Sequence, residues 1–136
     1  MRYLAPEQVL FLHSRLVEET GGAHGVRDLA MLLSALGRPR AAFDGKDLYQ
    51  DIFSKAAALL DSLIRNPPFV DGNKRTAITA AGLFLRINGY TLRVENDEMA
   101  RFTLACAQSQ VALEDIAAWL RLYSQQSTGG GQGAGR

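Results

Sequence analysis

The sequence predicts a single all-α domain, a bundle of about six helices around an apolar central one. Three observations predict it. Apolar residues recur at three- and four-residue spacing in segment after segment, which is the period of a helix with one buried face. Glycine, proline or a capping side chain punctuates the segments. Residues 77–85 are apolar or small at nearly every position, as a helix covered on all sides requires. A single core follows from the length of 136 residues, close to the size at which ~68–70% of the unfolded surface is removed from water.

Pro6 followed by Glu7 reads as the first turn of a helix, with Val9, Leu12, Leu16 and Val17 on one face and Gly21-Gly22 as the stop. Asp28 caps a short second helix through Leu29, Leu32, Leu33 and Leu36, closed by Gly37 and Pro39. The chain is then irregular as far as Gly45. Asp47 opens a third, longer helix carrying Ile52, Phe53, Ala56, Leu59, Leu60, Leu63 and Ile64, and Pro67-Pro68 must end it by removing donors and fixing φ. A fourth helix, the central one, runs from near Asn73 to Asn88-Gly89. Tyr90 to Val94 alternates weakly, as a short strand or an extended connector. Asn96 caps a fifth helix through Met99, Phe102, Leu104 and Cys106, and a sixth over 113–123 turns Ile116, Trp119 and Leu120 inward. The domain is therefore expected over 1–126. Residues 127–136, dominated by glycine, are expected to be a disordered tail.

Composition narrows the function classes. The chain is 47% hydrophobic and 21% charged, which excludes collagen, a disordered chain and a disulfide scaffold. Fifteen Lys+Arg against fourteen Asp+Glu leave a net charge of +1. That is too balanced for a partner such as nucleic acid or an anionic membrane. Cys106 is the single cysteine, and no Cys/His spacing suggests zinc. A reducing, cytoplasmic setting is expected. The longest uncharged stretch near the middle, 76–85, is about half the length that spans a bilayer, and the first residues lack the apolar run of a signal peptide.

Between the two longest helices stands Asn66-Pro67-Pro68-Phe69-Val70-Asp71-Gly72-Asn73-Lys74-Arg75, where an acid, a glycine, an amide and two bases meet at a helix start. The first turn of a helix presents unpaired N–H groups and the positive end of its dipole, so a Gly72-Asn73 turn there can receive a phosphate. Lys74 and Arg75 add fixed cations, and Asp71 offers a hard oxygen suited to Mg²⁺. Phe69, apolar among polar neighbours, anchors the loop in the core. Spacing alone leaves an alternative open: a plain Asp-Gly-Asn turn and cap, with two solvated cations.

The run Pro68-Phe69-Val70-Asp71-Gly72-Asn73-Lys74-Arg75-Thr76-Ala77 resembles the signature of the death-on-curing (Doc) toxins, a branch of the Fic superfamily with the pattern His-x-Phe-x-Asp/Asn-Gly-Asn-Lys-Arg. The likeness extends over roughly residues 3 to 124, through Gly21-Gly22, Arg38-Pro39, Asn66 and Leu83-Phe84-Leu85-Arg86 up to Asn88-Gly89-Tyr90. It implies a Fic/Doc-type helical bundle with a short flap, and ATP-dependent transfer to a protein hydroxyl. In the Doc branch that transfer is phosphorylation of elongation factor Tu, which arrests translation. It further implies Asp71 as holder of Mg²⁺, Gly72 and Asn73 as an anion hole, Lys74 and Arg75 as grips on the phosphates of ATP, and a cognate antitoxin as partner. Adenylyl-transferring relatives have Gly where Lys74 stands and an Arg where this chain has Ile78, so both differences favour the kinase branch. Residues 38–46, with Phe43 between charges, correspond to the flap that aligns a target segment by strand addition.

One departure bears on activity. The family places its general base, a histidine, where this chain has Pro67. Proline accepts no proton and restricts Asn66 to extended geometry; loss of a general base costs on the order of 10²–10⁴ in rate. Pro67 reads either as natural, in a pseudoenzyme that keeps the cradle, or as a substitution that lets a lethal toxin be produced in a living host. Three functions follow: a Doc-like kinase with an impaired site, a non-catalytic nucleotide- or antitoxin-binding module, and Fic-type adenylyl transfer. Among smaller features, His13 reads as a hydrogen-bonded core histidine rather than a substitute base, as does Trp119 as core and Cys106 as a small buried hydrophobe. Ser14 and Glu18 resemble part of an inhibitory-helix motif by chance, since Glu19 stands where that motif has Gly or Asn.

Overall fold

The computed structural model describes residues 1–127. Its helices are α1 (Pro6–Thr20), α2 (Leu29–Gly37), α3 (Ile52–Arg65), α4 (Asn73–Ile87), α5 (Asn96–Ala107) and α6 (Leu113–Leu122). Two small antiparallel ribbons accompany them. β1 (Ala42–Phe43) pairs with β2 (Lys46–Asp47), with Ala42 opposite Asp47, and β3 (Tyr90–Leu92) pairs with β4 (Ser124–Gln126), with Tyr90 opposite Gln126. The all-α bundle of six helices is thus present; α1, α2 and α4 begin where proline, aspartate or turn residues announce them, and α6 begins at Leu113, where the apolar spacing sets it. Among the described residues no helix is long and apolar enough to cross a membrane.

The central helix is α3, not the fourth helix that the apolar run over 77–85 predicts. Ten of its fourteen residues are buried, and α2, α4, α5 and α6 all pack on it. Ala56, Ala57 and Ala58 let those neighbours approach closely on several sides at once. Helix α4 lies beside it, burying Ala77, Ile78, Ala80, Ala81, Phe84 and Leu85 between α3, α1, α5 and β3. It cannot be the axis, because it exposes Lys74, Arg75 and Arg86.

Asp47 does not open α3. The helix starts five residues later, where the Asp51 carboxylate accepts from Phe53 N at 3.0 Å and Ser54 N at 2.9 Å. Asp47 lies in β2 instead and draws in the ammonium of Lys55, which is 1% exposed and donates to Asp47 Oδ2 and to Pro39 O, each at 3.0 Å. A buried cation needs such partners, and here they pin the base of the β1–β2 hairpin to α3. Asn96 is the first residue of α5 rather than its cap; Glu95 takes the extended cap position. Ser127, expected to begin the tail, extends the second ribbon instead, its N–H donating to Gly89 O at 2.8 Å and its hydroxyl meeting that of Thr91 at 3.0 Å. The rest of the expected tail, 128–136, lies outside the described residues.

Candidate active site

The site is built at the junction of α3 and α4. Asn66, at φ −122° and ψ 71°, leaves the helical region just before the proline pair, as the ring of Pro67 requires. Pro67 and Pro68 offer no N–H, and their carbonyls turn outward to accept hydrogen bonds: Pro67 O from the Arg27 guanidinium, Pro68 O from the amides of Arg27 and Asp28. Phe69 then dives into the core, 1% exposed, and stacks flat on His13 with ring centroids 3.7 Å apart and planes 7° from parallel.

Asn73 closes the loop. Its side-chain oxygen accepts from Phe69 N and its amide nitrogen donates to Phe69 O, both at 3.0 Å. The amide is therefore spent on shape, and what Asn73 can offer an anion is its main-chain N–H. Gly72 is the N-cap of α4 at φ 73°, ψ 21°, a left-handed conformation that L side chains rarely adopt. A Cβ there would also stand 3.3 Å from Val17 Cγ2. Among the described residues no side chain caps α4, which leaves the N–H groups of its first turn open to a ligand. Lys74 and Arg75 are exposed and, among the described residues, form no ion pair.

Asp71 is exposed, and its oxygens accept from Ala23 N at 3.2 Å and Gly72 N at 2.9 Å. Those two N–H groups foremost, then the charges of His13 and Lys74, hold its carboxyl below the usual aspartate range. Each of its oxygens keeps a lone pair that a cation could use. His13 is buried and hydrogen-bonded, as expected: its Nε2 lies 2.8 Å from Asp71 O, an acceptor, so that nitrogen carries the proton. His24 is exposed and lies beside Glu18 at 3.4 Å.

A groove of about 810 Å³ opens over these residues. Asp71, Gly72, Asn73, Lys74 and Arg75 line one wall with Ile78 and Thr79, and Leu16 of α1 contributes to its side. Pro67 is not among the residues that line the groove and is half-buried. The opposite wall was not foreseen. It comes from α5, through Asn96, Asp97, Met99, Ala100 and Thr103. The acid-and-amide start of that helix was a signal of the same kind as the start of α4, but nothing in the sequence set the two ends face to face. Among the described residues no group of three or more His, Cys, Asp or Glu forms a metal cage.

Comparison with known proteins leads to one family. The model of the Fic/DOC family matches residues 3–85. "Toxin Doc" of Mycolicibacterium smegmatis is 52% identical over 77 residues, a match that spans 57% of this chain and 59% of that toxin. "Protein kinase doc" of Escherichia phage P1 is 32% identical over 121 residues, which cover 89% of this chain and 94% of the kinase. With the family model matched from the first helix through the motif to α4, and identity to the phage kinase sustained along nearly the full length, the chain belongs to the Fic/DOC family.

Proposed function

We propose that this chain is a Doc-type toxin of a cytoplasmic toxin–antitoxin pair, by descent an ATP-dependent protein kinase acting on elongation factor Tu, with its transfer step impaired by Pro67. One observation carries the reading: an ionised carboxylate, a helix start without a side-chain cap and two cations without an ion pair, among the described residues, share one wall of a groove sized for a nucleotide. A toxin and a protein kinase as relatives support it.

The residues fit Mg²⁺–ATP. Mg²⁺ is commonly held by one or two protein carboxylates together with substrate phosphates and water, so the exposed Asp71 suffices without a cage. Bound there, Mg²⁺ supplies neutralisation of phosphate charge. The phosphates would lie against the first turn of α4, where Lys74 and Arg75 add charge and the N–H groups add direction. In the transfer, the target hydroxyl oxygen bonds to the terminal phosphorus, the bond to the bridging oxygen breaks, and ADP leaves. The hydroxyl proton needs an acceptor. Pro67, at the family's histidine position, provides none, and His13 is no replacement because it is buried, 4% exposed, and does not line the groove. The β1–β2 hairpin, with Phe43 75% exposed, would align the target segment along its open edge.

Pro67 also favours a second reading, a non-catalytic module that binds nucleotide or antitoxin and acts by occupancy. Adenylyl transfer is disfavoured by Lys74 and by Ile78, which is 3% exposed and apolar where a phosphate-binding arginine would be needed. Titrating Mg²⁺-ATP onto the protein and weighing elongation factor Tu after incubation separates the three. A gain of one phosphate, however slow, means kinase; binding without transfer means module; a gain matching AMP means adenylyl transfer.

A further inference from the structure

Residues 22–28, which join α1 to α2, form a strap along the motif loop. Val26 bridges Phe69 in antiparallel fashion. Val70 N donates to Gly25 O at 3.0 Å, and Arg27 N and Asp28 N donate to Pro68 O at 2.7 and 3.0 Å. At one end the Arg27 guanidinium reaches Pro67 O. At the other, Ala23 N reaches Asp71 Oδ2. None of residues 22–28 is buried, so core packing does not account for the strap. Its contacts are hydrogen bonds, and they bracket the loop from the position of the missing base to the carboxylate.

Gly22 gives this arrangement its meaning. A Cβ at that position would stand 2.8 Å from Asp71 Oδ2 and 3.4 Å from Asp71 Cγ. The obstructed atom is the free end of a side chain, not backbone. An alanine there is compatible with the fold, but only if the carboxylate swings off the Ala23 amide.

We propose that the strap is a positioning element for the groove, and that Gly22 is glycine so that the Ala23 N–H can hold the Asp71 carboxylate in one orientation for a divalent cation carried by a nucleotide. The inference rests on the reading of Asp71 as the Mg²⁺ holder. An N–H on Oδ2 fixes the direction of the remaining lone pairs, as outer partners of metal ligands do, and loss of such a partner typically costs 10–100-fold in metal affinity.

The test compares Gly22→Ala with Asp71→Asn and the parent chain, following ATP binding across a Mg²⁺ titration, ATP binding in EDTA, and thermal melting. For Gly22→Ala the half-saturating Mg²⁺ concentration is expected to rise about tenfold or more, with Mg²⁺-free ATP binding and melting temperature unchanged. Asp71→Asn should shift it at least as far. If Asp71→Asn shifts and Gly22→Ala does not, the strap is only a scaffold and the inference falls while the Mg²⁺ reading stands. If Asp71→Asn does not shift, the Mg²⁺ reading fails and takes the inference with it. Should Gly22→Ala misfold, the amide resonance of Ala23 in the parent chain decides: it must move with Mg²⁺-ATP and stay still with ATP in EDTA, and an amide indifferent to both overturns the proposal.

Discussion

Pro67→His places a titratable base at the position to which the proposed function assigns one, and the structure says what else it changes. The loop is held through the carbonyls of residues 67 and 68, through Val70 N and through Asn73, none of which depends on the side chain at 67. Asn66 already has a non-helical backbone that any following residue accepts. Replacing proline therefore costs only about 0.4–1 kcal/mol of restored unfolded-state freedom, and the first turn of α4 stays in place. A general base contributes 10²–10⁴ in rate, or about 3–5 kcal/mol at 1.36 kcal/mol per decade. Since it acts on the proton in flight rather than on bound ATP, kcat should rise by on the order of 10² or more with ATP affinity nearly unchanged. The assay is single-turnover transfer from Mg²⁺-ATP to elongation factor Tu, with ATP binding measured in parallel. The gained activity should fall as pH drops below about 6.5, the ordinary histidine value. In cells the variant should arrest growth unless an antitoxin is supplied. A histidine variant that folds, binds ATP and still transfers nothing would refute the kinase assignment, and the binding-module reading would replace it.

Asn73→Ala removes both hydrogen bonds to the buried Phe69 backbone and should destabilise the chain by about 1–3 kcal/mol in urea unfolding, with a weaker response to Mg²⁺-ATP. Glu98 is held down to about 2 by Arg101 first and the Trp119 indole N–H second. A depressed carboxyl contributes fully above its ordinary 4.5 and loses that contribution as pH falls through about 2; NMR titration of Glu98 should show this, and Arg101→Met should move the midpoint upward. Burial pushes the Cys106 thiol up to about 11, so at pH 8 it should resist a thiol reagent in the folded chain and react at once in denaturant.

What the sequence discloses depends on the range of the interaction. Helix limits set by local chemistry were legible: Pro6 at the start of α1, Asp28 accepting from Met31 N, and Gly72 before α4. So was the Asp71–Arg75 wall, because all its members are consecutive. Asp47 and Asp51 are equally good caps by type, and only the distant Lys55 ammonium, fixed by Pro39 O, separates their roles. The axis was misplaced for a similar reason. Local apolarity is high in both α3 and α4, and which is central depends on what packs against the polar positions of each. The α5 wall and the pairing of β3 with β4 arise from contacts across many residues of chain; the weak alternation over 90–94 announces an extended segment but not its partner.

The same distinction sets position 67 apart from the rest of the motif. In this motif the uncharged side chains, Phe69 and Asn73, hold the loop by stacking and by two amide hydrogen bonds. The charged ones, Asp71, Lys74 and Arg75, face solvent in the groove and hold nothing in the core. Position 67 belongs to neither set, because its carbonyl is clasped by Arg27 while its side chain lies off the groove wall in the proline form. A change of side chain there leaves in place both the bonds that hold the loop and the charges that line the groove. Under the proposed function, folding and nucleotide binding are therefore separable from transfer, and the Pro67→His comparison, with ATP binding measured beside transfer, tests that separation directly.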